Sequence, residues 1–248
     1  MSSNANDRSR DLYWPDCYNV RDLGGITTMN GKETKFGSFV RSDVLSRLSH
    51  SGKQMLIDYG ISAIIGLRFP DELVTLPGVT FDSVKSEARA DSLRKPDYRH
   101  IPFGEADPDI FERAKQAGNM AAYYGIWLEY FPETTATVMR AFLSVQSGGV
   151  VFHCHSGKDR TGIVAALLLC LAGVPRNSII DDYVATDENL KPWYDAKLMD
   201  EGGSHATADR MESMLTFLDS VGGVVSYLRK AGLRESELAE IRGRLLAD

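Results

Sequence analysis

Five residues separate Cys154 from Arg160 in the stretch VVFHCHSGKDRTG, Val150 to Gly162. A thiol and a planar guanidinium at that spacing can serve one small anion. The intervening loop is short enough to curl into a cradle, with the N–H groups of His155 to Arg160 turned inward and Arg160 closing the ring on two oxygens. Cys154 would lie at the base. There the inward N–H groups, a following helix and the guanidinium all favour thiolate over thiol and make the sulfur a nucleophile at neutral pH. Thr161 brings a hydroxyl within reach of the same sulfur.

Other chemistries fit these residues less well. A nucleotide-binding P-loop needs glycine where Phe152 stands and Ser or Thr where Asp159 stands. A zinc site from His153, Cys154 and His155 needs three adjacent side chains to converge, and no Cys-x-x-Cys or His-x-x-x-His partner exists elsewhere. A merely structural cysteine leaves Gly157, Lys158 and Arg160 at these spacings unexplained.

The elements around the loop must be a strand and a helix. Gly149 to Phe152 is an apolar β-type run, and Ile163 to Leu171 an apolar helical run that begins directly after Arg160-Thr161-Gly162. A helix entered this way aims unpaired N–H groups and its positive dipole end at the loop's guest, most often phosphate. Upstream, Ser38 to Arg41 and Ile61 to Leu67 read as strands, with a helix from Ser51 to Tyr59 between them, opened by a serine cap and closed by Gly60. Val79 to Val84 and Arg99 to Pro102 are further strand candidates, separated by a charged surface loop, Lys85 to Asp97. Asp107-Pro108 opens a helix carrying Tyr123, Tyr124, Trp127 and Tyr130, read as core rather than as a lid, and Pro132 opens another. Gly173-Val174-Pro175 ends the catalytic helix. Ser178 to Thr186 and Leu190 to Met199 read as two short helices, Glu201 to Ala206 as a loop, and three amphipathic helices close the chain. The expectation is an α/β fold: a central, mostly parallel sheet flanked by helices, with a helical C-terminal third.

The chain has 248 residues, 43% hydrophobic and 25% charged, which suits one domain over 12–248 after a disordered polar arm, residues 1–11. A formal net charge of −6 argues against a broad nucleic-acid face and makes any attraction for phosphorylated partners local to the loop. Three cysteines, Cys17, Cys154 and Cys170, suit a reducing compartment and a free reactive thiol. No apolar run approaches the ~20 residues of a membrane span, and the N-terminus has no secretory pattern. Cytoplasmic residence is the default reading, with export lacking such a signal left open; oligomeric state is not legible.

The stretch HCHSGKDRTG resembles the signature loop of cysteine-dependent protein tyrosine and dual-specificity phosphatases, which runs His-Cys, five residues, Arg, then Ser or Thr. Lys158 and Asp159 before Arg160, together with NVRDLGG at Asn19 to Gly25, resemble more narrowly the bacterial-type tyrosine and phosphoinositide phosphatases. The resemblance implies hydrolysis of a phosphomonoester by two displacements through a cysteinyl-phosphate, with Cys154 as nucleophile and Arg160 as anion clamp. His155, Ser156, Gly157, Lys158, Asp159, Arg160 and Thr161 would hold the phosphate, and neither metal nor cofactor is called for. Asp159, the only carboxylate inside the loop, is the expected general acid, as in the myotubularin lipid phosphatases that this feature also resembles. Lys158 suits a substrate with more than one phosphate, so phosphoinositides join phosphotyrosine and phosphoserine or phosphothreonine as partners. His153 would orient the loop.

Three features qualify that picture. Trp14-Pro15-Asp16 has the letters of an acid loop in many tyrosine phosphatases but lies far upstream, so Trp14 reads as packing. NVRDLGG reads equally as a structural turn and as a flank of the site, with Arg21 and Asp22 able to pair. At Gly66-Leu67-Arg68 the family usually has Asp-Leu-Arg; the aspartate is missing, while Arg68 is kept as a possible anion ligand or as the partner of Asp71 or Glu72. Gly66 is the one hint of a rival class, a catalytically silent phosphate-binding module. A rhodanese-like sulfurtransferase is a further rival, but nothing in one demands Lys-Asp-Arg-Thr leading into a helix.

Overall fold

Val150-Val151-Phe152 has no polar member, so it must be covered on both faces, and the sheet is built around it. The computed structural model describes residues 8–75, 78, 95–105, 108–116, 120–145, 147–195 and 205–247. Its strands are β1 (Arg21–Asp22), β2 (Phe39–Ser42), β3 (Ile61–Gly66), β4 (Asp97–His100) and β5 (Gly149–His153), in the order β1-β2-β5-β3-β4. Only β1 runs antiparallel. The central β5 is buried throughout. Alternate side chains divide the core, as the pleat requires: Phe39, Ile65, Val150 and Phe152 face one apolar cluster, and Val40, Ile64 and Val151 face another.

The second face is covered by α1 (His50–Asp58) and by Trp14, which packs edge-on against Tyr59. That bears out the packing role expected of Trp14. The cap of α1 is Ser49, whose hydroxyl accepts from the Gly52 N–H, rather than Ser51. After the short α2 (Glu72–Thr75) come α3 (Pro108–Gln116), α4 (Tyr123–Tyr130), α5 (Pro132–Leu143), α6 (Asp159–Ala172), α7 (Arg176–Asp195), α8 (Ala208–Ser220), α9 (Gly223–Lys230) and α10 (Glu235–Leu245). From α3 onward each contributes to the first cluster. The helix buried on nearly every side is α6, as an all-round apolar sequence demands. It ends at Gly173 with φ 81°, and Val174 N–H reaches back to the Leu169 carbonyl at 3.0 Å, the αL stop expected there.

Three local expectations need correction. The two short helices after Pro175 are one, α7: Leu190 and Trp193 bury against Val44 and hold the helix through Pro192, so tertiary packing overrides weak local propensity. The aromatic helix is interrupted, since Tyr123 to Tyr130 form α4, separate from α3. Arg8 to Asp11, assigned to a disordered arm, lie against the body: Leu12 N–H bonds the Val20 carbonyl, Asp11 forms a backbone β-bridge with Arg21, and Arg10 pairs with Asp182. Residues 1–7, the strand candidate Val79 to Val84 and most of the charged stretch after it lie outside the described residues.

Candidate active site

Cys154 follows β5 directly and is buried at the floor of the loop. The next three carbonyls are each held from outside. Val44 N–H donates to the His155 carbonyl at 2.8 Å, Asn19 Nδ2 to that of Ser156 at 2.9 Å, and Arg41 Nη2 to that of Gly157 at 2.8 Å. Carbonyls fixed outward leave the intervening N–H groups for the concave side. Gly157 is required twice over: its φ is 69°, and a Cβ there would lie 2.4 Å from the Ser42 carbonyl oxygen. Asp159, Arg160 and Thr161 form the first turn of α6, so the helix starts earlier than its apolar run and contributes its unpaired N–H groups to the loop.

The back of the loop is a dry electrostatic scaffold. Asp182 of α7 binds Arg41 Nη1 at 2.6 Å and lies 3.5 Å from Arg21 Nε; all three are 2% exposed or less. Burial alone would raise the Asp182 carboxyl, but Arg41, Arg21 and Arg10 hold it well below the usual range. Arg21, buried and beside a second guanidinium, falls to about 9. Its Nη2 also donates to the Asp182 carbonyl at 2.8 Å and to Thr186 Oγ1 at 3.2 Å. Arg21 and Asp22 do not pair with each other, because neighbours on a strand face opposite ways. Asp22 instead accepts from Gly24 and Gly37 N–H at 2.6 and 2.7 Å. NVRDLGG is therefore both turn and site flank.

The front is more open. Arg160 grips Glu72 of α2 with both terminal nitrogens, Nη2 at 2.8 Å, and lies 4.4 Å over the Phe69 ring. Burial opposes ionisation of Glu72, yet the bond and charge of Arg160 outweigh it and hold the carboxyl below its usual value. On the other side, the Tyr124 hydroxyl donates to Asp159 Oδ1 at 2.6 Å and accepts from Tyr183 at 2.6 Å, while Arg210 Nη1 approaches the same carboxylate to 3.9 Å. Burial and the Asp159 charge push the Tyr124 phenol well up, so it remains a donor. The aromatic helix thus is core, with Tyr124 and Trp127 buried, and also reaches the loop.

His153 is buried, and its Nδ1 donates to the Cys154 carbonyl at 2.8 Å; burial lowers the imidazole to about 4 and keeps it neutral. Lys158 is 4% exposed, so it is not a solvated residue at the rim. The Thr161 hydroxyl is buried and makes no bond to the Cys154 sulfur. Arg68 is fully buried, and its carbonyl lies 2.8 Å from His100 Nε2. At Gly66 a Cβ would stand 2.4 Å from the Tyr98 hydroxyl, so a tyrosine from β4 fills the volume a side chain here would take. Of the other two cysteines, Cys17 is raised by burial and Asp43, and Cys170 is pushed up to about 12 by burial and Asp219, which keeps both as thiols.

The sequence profile of the tyrosine phosphatase family matches residues 12–247. The chain belongs to that family. Among curated members, the tyrosine-protein phosphatase of Nostoc commune is 30% identical over 84% of this chain and 74% of its own. The triple specificity protein phosphatase PtpB of Mycobacterium tuberculosis is 24% identical over 94% and 98%. The crystal structure of Pseudomonas aeruginosa TpbA covers 79% of this chain and 87% of its own at 14% identity, with a TM-score of 0.40. Membership makes the chain a protein tyrosine or dual-specificity phosphatase, and the parallel sheet with its flanking helices is the expected fold. No helix among the described residues is long and apolar enough to cross a membrane.

Within this phosphatase, reading the sequence missed Asn19, Arg41, Asp43, Glu72, Tyr124, Asp182 and Arg210. Asn19, Arg41, Glu72, Tyr124 and Arg210 reach the loop or one of its side chains from distant segments, while Asp182 and Asp43 act one step back, through Arg41 and through the Asn19 backbone. Asp43, fully buried, accepts from Tyr18 and Asn19 N–H at 3.2 and 3.1 Å, and burial raises its carboxyl to about 6.

Proposed function

We propose that the chain hydrolyses phosphotyrosine in proteins through a cysteinyl-phosphate, with phosphoserine or phosphothreonine and phosphoinositides as further substrates. The observation that carries this reading is the set of three consecutive carbonyls, His155 to Gly157, held outward above a buried Cys154. In the first step the sulfur attacks phosphorus, the S–P bond forms, the P–O bond breaks, and the leaving phenoxide takes a proton from Asp159. Loop N–H groups and Arg160 stabilise the equatorial oxygens, where the transition state spreads its charge. In the second step water attacks phosphorus, Asp159 accepts the water's proton, and the S–P bond breaks to release phosphate. Tyr124 holds one oxygen of Asp159 and leaves the other for this transfer.

The test is initial-rate phosphate release from phosphotyrosine peptide, phosphoserine peptide and soluble phosphoinositides. Cys154→Ser is expected to abolish turnover while keeping peptide binding, and Asp159→Asn to slow it by about a hundredfold or more. Full turnover by Cys154→Ser would remove the covalent route. Binding without turnover by the wild type would replace the enzyme with a silent binding module.

A further inference from the structure

Beyond the loop on the His155 side, the turn after β2 ends at Arg47. Its guanidinium lies 4.4 Å over the Trp193 ring, and that same indole is 5.8 Å from the His155 ring and 6.0 Å from Tyr18. Trp193 is fully buried and cannot move aside, whereas Arg47 is half-buried and Tyr18 is 37% exposed. Nearby cations are committed: Arg160 to Glu72, Arg41 and Arg21 to Asp182. Arg47 has no carboxylate partner among the described residues, in a chain whose net charge is −6. Stacking fixes the plane of a guanidinium and leaves its N–H edge free, which is the geometry that takes an oxyanion from two nitrogens.

We propose that Arg47, shelved on Trp193 beside His155, is an accessory anion subsite for a second carboxylate or phosphate near the phosphotyrosine of a peptide substrate. This deepens the phosphotyrosine reading and rests on it. Arg47 and His155 share one indole, so the gap between them is spanned by one to three residues of extended peptide at about 3.3 Å each. A bilayer is the poorer fit, since several cations must act together to hold an anionic surface and, among the described residues, Arg47 is the only one stacked on Trp193.

The experiment uses phosphotyrosine peptides in pairs, with glutamate or phosphoserine against glutamine one, two or three residues away. Affinity is read on the full-length Cys154→Ser protein by fluorescence anisotropy, and kcat/KM on the active protein. The acidic peptide is expected to win by about tenfold at one of these positions, the scale of one charge-assisted contact. With Arg47→Gln the ratio should fall to within about twofold, with Arg47→Lys in between and the thermal midpoint held. A ratio of one in the wild type, or a ratio unchanged by Arg47→Gln, overturns the subsite. If Arg47→Gln weakens soluble inositol bisphosphate but leaves the peptide ratio intact, the peptide assignment is likewise overturned. Turnover without preference sinks only the subsite; preference in binding with no turnover by the wild type sinks only the phosphatase chemistry.

Discussion

The two sides of the loop use the same pair of residue types for different ends. Behind it, Arg21, Arg41 and Asp182 are sealed from water and hold peptide groups in place. In front, Arg160 and Glu72 keep 14% and 26% of their side-chain surface, and Arg210 and Asp159 keep 11% and 40%. A dry ion pair is held by the large penalty of parting it, whereas a wetted pair exchanges partners at little loss. Burial, more than residue type, separates the frame of this site from its working groups.

The largest test of that contrast is Asp182→Asn. It strands two buried guanidinium groups, so unfolding free energy should fall by about 3–5 kcal/mol and the melting midpoint by on the order of 10 °C. A loss under about 1 kcal/mol in denaturant titration would break the comparison. Next comes pH, which probes the same dry side. His153 titrates near 4 when folded and near 6.5 when unfolded, so its contribution is complete above about pH 6.5 and is lost as pH falls towards 4, about 3 kcal/mol in all. Asp43 acts in the opposite sense, because its raised carboxyl gains stability as pH falls through about 6. The measurement is therefore the wild-type minus His153→Gln difference in unfolding free energy, which should shrink steadily below pH 6.5.

On the front, Glu72→Gln should change stability by less than about 1 kcal/mol yet lower kcat/KM by roughly tenfold or more, because Arg160 loses the group that aims it. An equal loss in stability and rate would merge the two sides. The smallest effect is expected from Tyr124→Phe. It should slow phosphotyrosine turnover by roughly tenfold, yet hardly touch an aryl phosphate whose leaving group needs no proton. Equal slowing of both would make Tyr124 a packing residue only.

What the sequence disclosed follows the same divide between near and far. The run from Val150 to Thr161 is local: an apolar strand, a glycine that must turn, and a helix start lie within twelve residues, and only the helix start moved, to Asp159 rather than the beginning of the apolar run. The frame is remote. Arg41 and Gly157 are 116 residues apart and Asn19 and Ser156 are 137, so no pattern within a window connects them. Tyr124 was visible only as part of an aromatic stripe, since its hydroxyl partner lies 35 residues on. The joined α7 was misread because Asp187, Asn189 and Pro192 are poor formers taken alone, and only Trp193 docking on Val44 outweighs them.

Gly66 carries a consequence for how this sequence can change. The Tyr98 hydroxyl stands where a larger residue's first carbon would be, so an aspartate cannot enter while that ring stays in place. Removing the ring first leaves a hole beside His153, 6.5 Å away. Positions 66 and 98 are therefore coupled across β3 and β4: a side chain at 66 requires the Tyr98 ring to shift, and loss of the ring opens volume beside 66. The volume that an aspartate side chain would take at 66 is supplied from the neighbouring strand, so restoring a carboxylate there is a problem of two positions rather than one.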